Sequence, residues 1–284
     1  MLHRLPLSQA TLHGYFSRDL EPALTIARGD SVRFAVPNSS WYVEPERKFV
    51  PRNPTLDLGH ALVGPIAVRG ARVGKTLVVR IDEVKPASWG VTYTKPPHLV
   101  RWQLNDGVGL GAGKTVRLAP FLGVLGMAPA EPGVHSTIPP RPCGGNIDCK
   151  ELVAGSVLFL PIAVEEALFS AGDGHAAQGD GEISGTAIEC PVEAQLTLDV
   201  RDDFPIQWPV ARTAASWITF GFHEDLEEAA GIAVEGMLDL MQREHGLTRS
   251  DALALGSVVV DLRVTQIANK TLGVHAVLAD AALA

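Results

Sequence analysis

Between Pro139 and Pro191 the sequence sets Asp148, Asp173, His175, Asp180, Glu182 and Glu189 among closely spaced glycines. Glycine tolerates positive φ and close approach of the backbone, so polar side chains between glycines can be turned inward onto a ligand. Histidine and carboxylate together suit zinc, whereas carboxylates and carbonyls suit calcium or magnesium. Asp173 and His175, in GDGH, reach one ion if their loop curls around it, and Asp148 supplies a third ligand from another loop. The competing reading has Asp148 and Asp173 satisfying turn amides, as aspartate commonly does. No HExxH and no paired CxxC is present to decide between the two.

Cys143 and Cys149 flank the GGNID turn and offer a thiol nucleophile, with Lys150 and Glu151 as neighbours. A nucleophilic thiol needs a base within hydrogen-bond reach and a positive environment. Free cysteine is otherwise among the most buried residue types, which favours inert core thiols. His60 lies beside an apolar run and, taken alone, reads as a core or turn residue.

DGVGLGAGKT, residues 106–115, imitates a phosphate-binding loop but has Val108 where that loop requires glycine. It also lacks the strand before and the helix after, since Pro120 stops any helix at once. A glycine-rich hairpin leading into a strand over Val116–Ala119 is the better reading.

These groups sit in a chain of 284 residues, 46% hydrophobic and 20% charged, enough for a large core and expected to form a single domain over 1–284. A net charge of −8 argues against nucleic acid, which demands a basic footprint. No window approaches 18 apolar residues, which excludes a helical membrane span. The three cysteines cannot all pair, and the first residues lack the apolar stretch of a secretory signal, so a cytoplasmic location is expected.

The elements that must position the acids are mostly strands. Ala23–Ile26 and Ser31–Val36 read as short strands about an ARGD turn, and Pro65–Val68 as another. Leu77, Val79 and Ile81 alternate with Val78, Arg80 and Asp82, the period of a half-buried strand. Val157–Val164 is a continuous apolar run suited to a strand buried on both faces. Glu182–Glu189 reads as an alternating strand, which would put Glu182 and Glu189 on opposite faces and rank Glu182 first. Gln195–Arg201 looks like its partner. From Glu224 to His245 the apolar spacing is helical, with acids in the first turn and Gly246 as the stop. A second helix starts at Thr248 as N-cap, and Val258–Ile267 alternates as a last strand.

GPIAVRGARVGKTLVVRI, Trp89-Gly90, PFLGVLGMAP, STIPPRPCGGNIDCKELVAGSVLFLPIAV, LFSAGDGHAAQGDGEISGTAIE and DALALGS together resemble the acetamidase/formamidase family of amide hydrolases. The resemblance runs from about His60 to the C-terminus, and GGNID with GDGHAAQGDGE carries most of it. It implies an α+β, β-rich fold, with sheets packed face to face in a sandwich and flanking helices mainly in the C-terminal third. It also implies a homodimer or higher homo-oligomer and a divalent metal, zinc or calcium. Carried over position by position, it implies Asp148, Asp173, His175 and His60 as metal ligands and Glu182 with Asn146 as catalytic groups. Gln178 and Gly145 would then contact substrate. Cys143 departs from the histidine or other polar residue expected before GGN.

The chemistry so implied is hydrolysis of short linear amides to carboxylate and ammonia by activated water. Glu182 would carry the proton from water to nitrogen, and Asn146 would stabilise the oxyanion. Two alternatives remain: a cysteine-nucleophile amidase, and a non-catalytic metal-binding protein on the same scaffold.

Overall fold

The computed structural model describes residues 1–94 and 96–283. A nine-stranded sheet runs, edge to edge, through Leu2–Leu5, Asp30–Val36, Val192–Arg201, Thr76–Pro86, Val157–Pro161, Val210–Arg212, Ser216–His223, Leu272–Ala279 and Val260–Gln266. Its pairs are antiparallel except the first, which is parallel. Facing it is a six-stranded sheet whose central strands are Phe121–Met127, Phe169–His175 and Leu62–Val68. Gly144–Asn146 and Leu12–His13 form its two ends, and Leu24–Ile26 adds a parallel strand beside Leu62–Val68.

The side-chain period explains the layering. Leu77, Val79, Ile81, Leu158 and Leu160 point into a core shared with Val63, Ile66, Leu125 and Phe169 of the smaller sheet. Val78 and Phe159, one residue out of phase, point the other way and pack beneath the helices with Ala233, Met237 and Met241. The half-buried pattern expected over residues 77–82 holds at Arg80 and Asp82, which are exposed, and fails only at Val78, whose end of that face packs in the core beneath the helices.

The first helix is Leu226–His245. Asp225 caps it by accepting from the Glu227 and Glu228 amides, and Gly246 ends it in the left-handed conformation. Its buried face is Ala229, Ala233, Met237, Leu238, Leu240 and Met241. Leu226, expected on that face, is exposed. Close approach to the sheet is required at Gly221, where a Cβ would lie 2.0 Å from the Ala229 carbonyl oxygen. Thr248 caps the second helix, Arg249–Val259, through the Asp251 amide. Among the described residues no helix is long and apolar enough to cross a membrane.

Residues 106–117 form the expected hairpin, Val108–Gly111 against Lys114–Arg117, in a four-stranded sheet with His98–Asn105 and Trp89–Thr94. One expectation fails outright. Glu182–Glu189 is no strand: Glu182 and Gly185 both take positive φ and the chain turns. Only at Glu189 does it make isolated bridges, to Val91 of the four-stranded sheet and to His175 of the six-stranded one.

Candidate functional site

The strand Phe169–His175 is buried along its whole length and carries Asp173 and His175 two residues apart, on one face. Its antiparallel register with Phe121–Met127, fixed by Phe121 opposite His175 and Leu122 opposite Gly174, sets Gly123 opposite Asp173. The Gly123 carbonyl in turn accepts from the Ile147 and Asp148 amides at 2.9 and 3.2 Å, which brings Asp148 over the same spot. Glycine is required there. A Cβ on residue 123 would stand 2.5 Å from Asp148 Oδ1, 2.7 Å from Asp173 Oδ2 and 2.9 Å from His175 Cε1.

Asp148, Asp173 and Glu182 all hold positive φ, at 52°, 60° and 44°. Such backbone is uncommon for residues other than glycine and, when it clusters, marks places where packing overrides local preference. Here it brings three carboxylates around His175.

His175 sits among them, 1% exposed. Its Nδ1 meets Gln178 Oε1 at 2.9 Å, and the Gln178 amide nitrogen donates to the Asp148 carbonyl at 2.6 Å. Because an amide oxygen only accepts, Nδ1 carries the proton and Nε2 faces the carboxylates. That Nε2 lies 3.3 Å from Asp173 Oδ1 and 3.2 Å from Glu189 Oε1. Glu189 is itself held by the Ser39 hydroxyl at 2.7 Å and the Ala187 amide at 2.9 Å.

Burial would lower the pKa of His175, but the Glu189 and Asp173 carboxylates outweigh it and hold it well above the usual range. Burial pushes the Asp173 carboxyl up, yet His175 and then His60 pull it below its ordinary value. Asp148 is driven well up by burial and by the negative charge of Glu182. Glu182 is pushed up to about 8, first by burial, with His175 opposing and Glu189 and Asp173 reinforcing.

Both Asp148 carboxylate oxygens and Asp173 Oδ1 are buried without a hydrogen-bond partner. Asp148, His175 and Glu182 can each bring one ligand atom within 4.8 Å of the others, and so can Asp173, His175 and Glu189. Buried acceptors in excess of donors are costly unless protons or a cation compensate them. The set therefore fits a divalent cation, and its mixed nitrogen and oxygen donors suit zinc more than an all-oxygen metal.

His60 stands on the rim, its Nε2 4.0 Å from Asp173 Oδ2 and its Nδ1 2.9 Å from Thr137 Oγ1. Asn146 is buried beside Asp173, with its Oδ1 unpartnered. His60, Asn146, Asp173, His175, Glu182 and Glu189 share the wall of one cavity of about 90 Å³. A larger hollow of about 560 Å³ under Trp89, Tyr93 and Trp102 has no acid on its wall.

Three expected residues are not on the small cavity's wall. Asp148 lies over Gly123 instead, Gln178 stands behind His175, and Gly145 pairs with Leu125 inside the sheet. Asp180 points away and pairs with Lys150 at 2.8 Å. Sequence reasoning ranked Glu189 below Glu182, misled by a strand parity that the turn at 182–185 abolishes. It missed Gly123 and Ser39, which carry no signal of their own.

The thiols are poor nucleophiles. Burial pushes Cys143 up to about 11, and Cys149 rises well above its ordinary value, through burial and then the Glu151 carboxylate.

The sequence profile of the Acetamidase/Formamidase family matches residues 127–271, just over half of the chain. An acetamidase of Mycolicibacterium smegmatis is 54% identical over 48 residues, which is 17% of this chain and 12% of that protein. In three dimensions the chain superposes on a predicted acetamidase/formamidase from Thermoanaerobacter tengcongensis with a TM-score of 0.89 and 25% identity, covering 100% of this chain and 98% of that one. An acetamidase from Bacillus halodurans gives 0.87 and 26%, covering 97% of each chain.

Proposed function

Because the chain belongs to the acetamidase/formamidase family, we propose that it hydrolyses short linear amides to carboxylate and ammonia, using a divalent metal, zinc or calcium. The observation that carries this reading is the convergence of the Asp148 and Asp173 carboxylates over Gly123, with three of their four oxygens buried and lacking hydrogen-bond partners. Asp148, Asp173 and His175 would hold the metal there, with His60 at the rim and Glu189 bracing the imidazole. Bound there, the cation supplies Lewis acidity toward the amide carbonyl and toward water.

The chain's own groups account for the proton traffic. Hydrolysis removes a proton from water and must deliver one to the departing nitrogen, since amide anion is too poor a leaving group. Glu182, pushed up to about 8 by burial, titrates close to neutrality and can do both in turn. Asn146, on the same wall, offers its side-chain amide to the developing oxyanion. Gln178 keeps the His175 proton on Nδ1 and so keeps Nε2 turned into the site.

The cavity supports a substrate of few heavy atoms. Its volume of about 90 Å³ is well below the roughly 300–1,000 Å³ typical of pockets for drug-sized ligands. Family membership also supports a homodimer or higher oligomer, which light scattering would measure.

The test is ammonia release from formamide, acetamide and propionamide before and after exhaustive chelation. Activity lost on chelation and restored by zinc or calcium supports the proposal. Turnover that survives chelation removes the metal from it. Bound metal with no ammonia from any of the three amides would leave a binding protein on this scaffold.

A further inference from the structure

The turn that sets Asp148 over Gly123 sends the next side chain into a second cluster. Cys149 is 1% exposed, and its Sγ lies 3.2 Å from Glu151 Oε2. The same oxygen is 3.7 Å from Nε2 of His275, which is fully buried on the strand Leu272–Ala279 of the larger sheet. The three donor atoms lie within 4.8 Å of one another.

Two of the three donors are oriented by a contact behind them. His275 Nδ1 pairs with Thr265 Oγ1 at 2.8 Å, while Nε2 is buried and has no hydrogen-bond partner. Glu151 Oε1 accepts from Arg263 Nη1 at 3.1 Å, which leaves Oε2 facing the cysteine and the histidine. Arg263 is the cross-strand partner of His275, so the sheet register itself joins these groups. A buried ring nitrogen left without a partner is destabilising. An imidazole anchored through its other nitrogen and a carboxylate anchored through its other oxygen are the usual outer surroundings of metal ligands.

We propose that Cys149 Sγ, Glu151 Oε2 and His275 Nε2 form a second divalent metal site, separate from the Asp148–Asp173–His175 cluster and suited to zinc. Thiolate, carboxylate and imidazole are all zinc donors, and three protein ligands leave one position of a tetrahedron for water. Binding exchanges the thiol proton for the metal, the proton passing to solvent, with no change of oxidation state. The ion ties the 148–151 turn to the larger sheet and so holds Asp148 in place from behind. The inference does not depend on amide hydrolysis.

Cobalt(II) separates the two sites, because the Asp148 cluster offers only nitrogen and oxygen donors. Metal-free protein titrated with Co(II) should develop the near-ultraviolet charge-transfer absorption of a thiolate-bound ion, with the final amplitude of a single thiolate-bound cobalt per chain whatever the Asp148 cluster takes up. Cys149→Ser should abolish it and Cys190→Ala should leave it intact. Thr265→Val, which removes only the contact behind His275, should weaken Co(II) binding by roughly 10–100-fold. Circular dichroism checks that each variant is folded; if Cys149→Ser is not, loss of the band in folded His275→Gln carries the same weight. No thiolate band in wild-type protein, or a band that survives Cys149→Ser, would overturn the site.

Discussion

One strand, Phe169–His175, serves two buried histidines in opposite ways. At its Ser170 end lies His13, 2% exposed, with Nδ1 on the Tyr15 carbonyl at 2.6 Å and Nε2 on Ser170 Oγ at 2.9 Å. Burial drives its pKa down to about 4, so it stays neutral. At the other end His175 is equally buried, but its Nε2 faces Asp173 and Glu189 and its pKa rises. Burial is the same in both places; the partners reverse the sign. A satisfied imidazole is a core residue, whereas one facing buried carboxylates marks a place where their charge must be compensated, by a proton or by a cation.

The sharpest way to break this contrast is to crowd the carboxylates at the His175 end. Gly123→Ala places a methyl against Asp148, Asp173 and His175 together, so bound metal measured by mass spectrometry and ammonia release should both vanish. Retained metal and turnover would mean that the carboxylates do not share a centre.

Glu182→Gln tests the proton transfer alone. It should lower kcat by roughly 10²–10⁴-fold while metal content stays unchanged. Lost metal would instead make Glu182 a ligand.

At the Ser170 end the prediction concerns stability. His13 has a folded pKa of about 4 against an ordinary 6.5, so protonation favours the unfolded chain. Its contribution is intact above about pH 6.5 and is lost as pH falls from there to about 4, amounting to about 3 kcal/mol. Urea unfolding of wild-type and His13→Gln protein should converge over that window. Curves that stay parallel would contradict a neutral, buried His13.

The smallest effect belongs to Gln178→Ala. Releasing Nδ1 of His175 should reduce metal affinity or activity by about 10–100-fold, and Gln178→Glu, which keeps an acceptor, should recover part of it. An unchanged enzyme would show that the strand alone orients His175.

Much of the site could be read from residue types. Asp148, Asp173, His175 and Glu182 stand out because short glycine-spaced acids have few structural uses, and the structure brings them together around Gly123. Helix caps at Asp225 and Thr248, and the hairpin at 108–117, follow from local rules and appear as expected, save that the first cap is a residue counted among the first-turn acids. Glu189 did not follow, because face alternation holds only while a strand is regular, and positive φ at Glu182 and Gly185 breaks it.

The sequence by itself determined the β-rich class, the two helices of the C-terminal third and the chemical identity of the acids, since these depend on side-chain period, capping and residue type. Only the tertiary structure decided which acids meet. Cross-strand register set Gly123 opposite Asp173, the larger sheet brought His275 to Cys149 and Glu151, and the Val91 bridge delivered Glu189 to His175. Such encounters join residues distant along the chain, and their energy arises from desolvation and pairing in the folded interior, which no local pattern encodes.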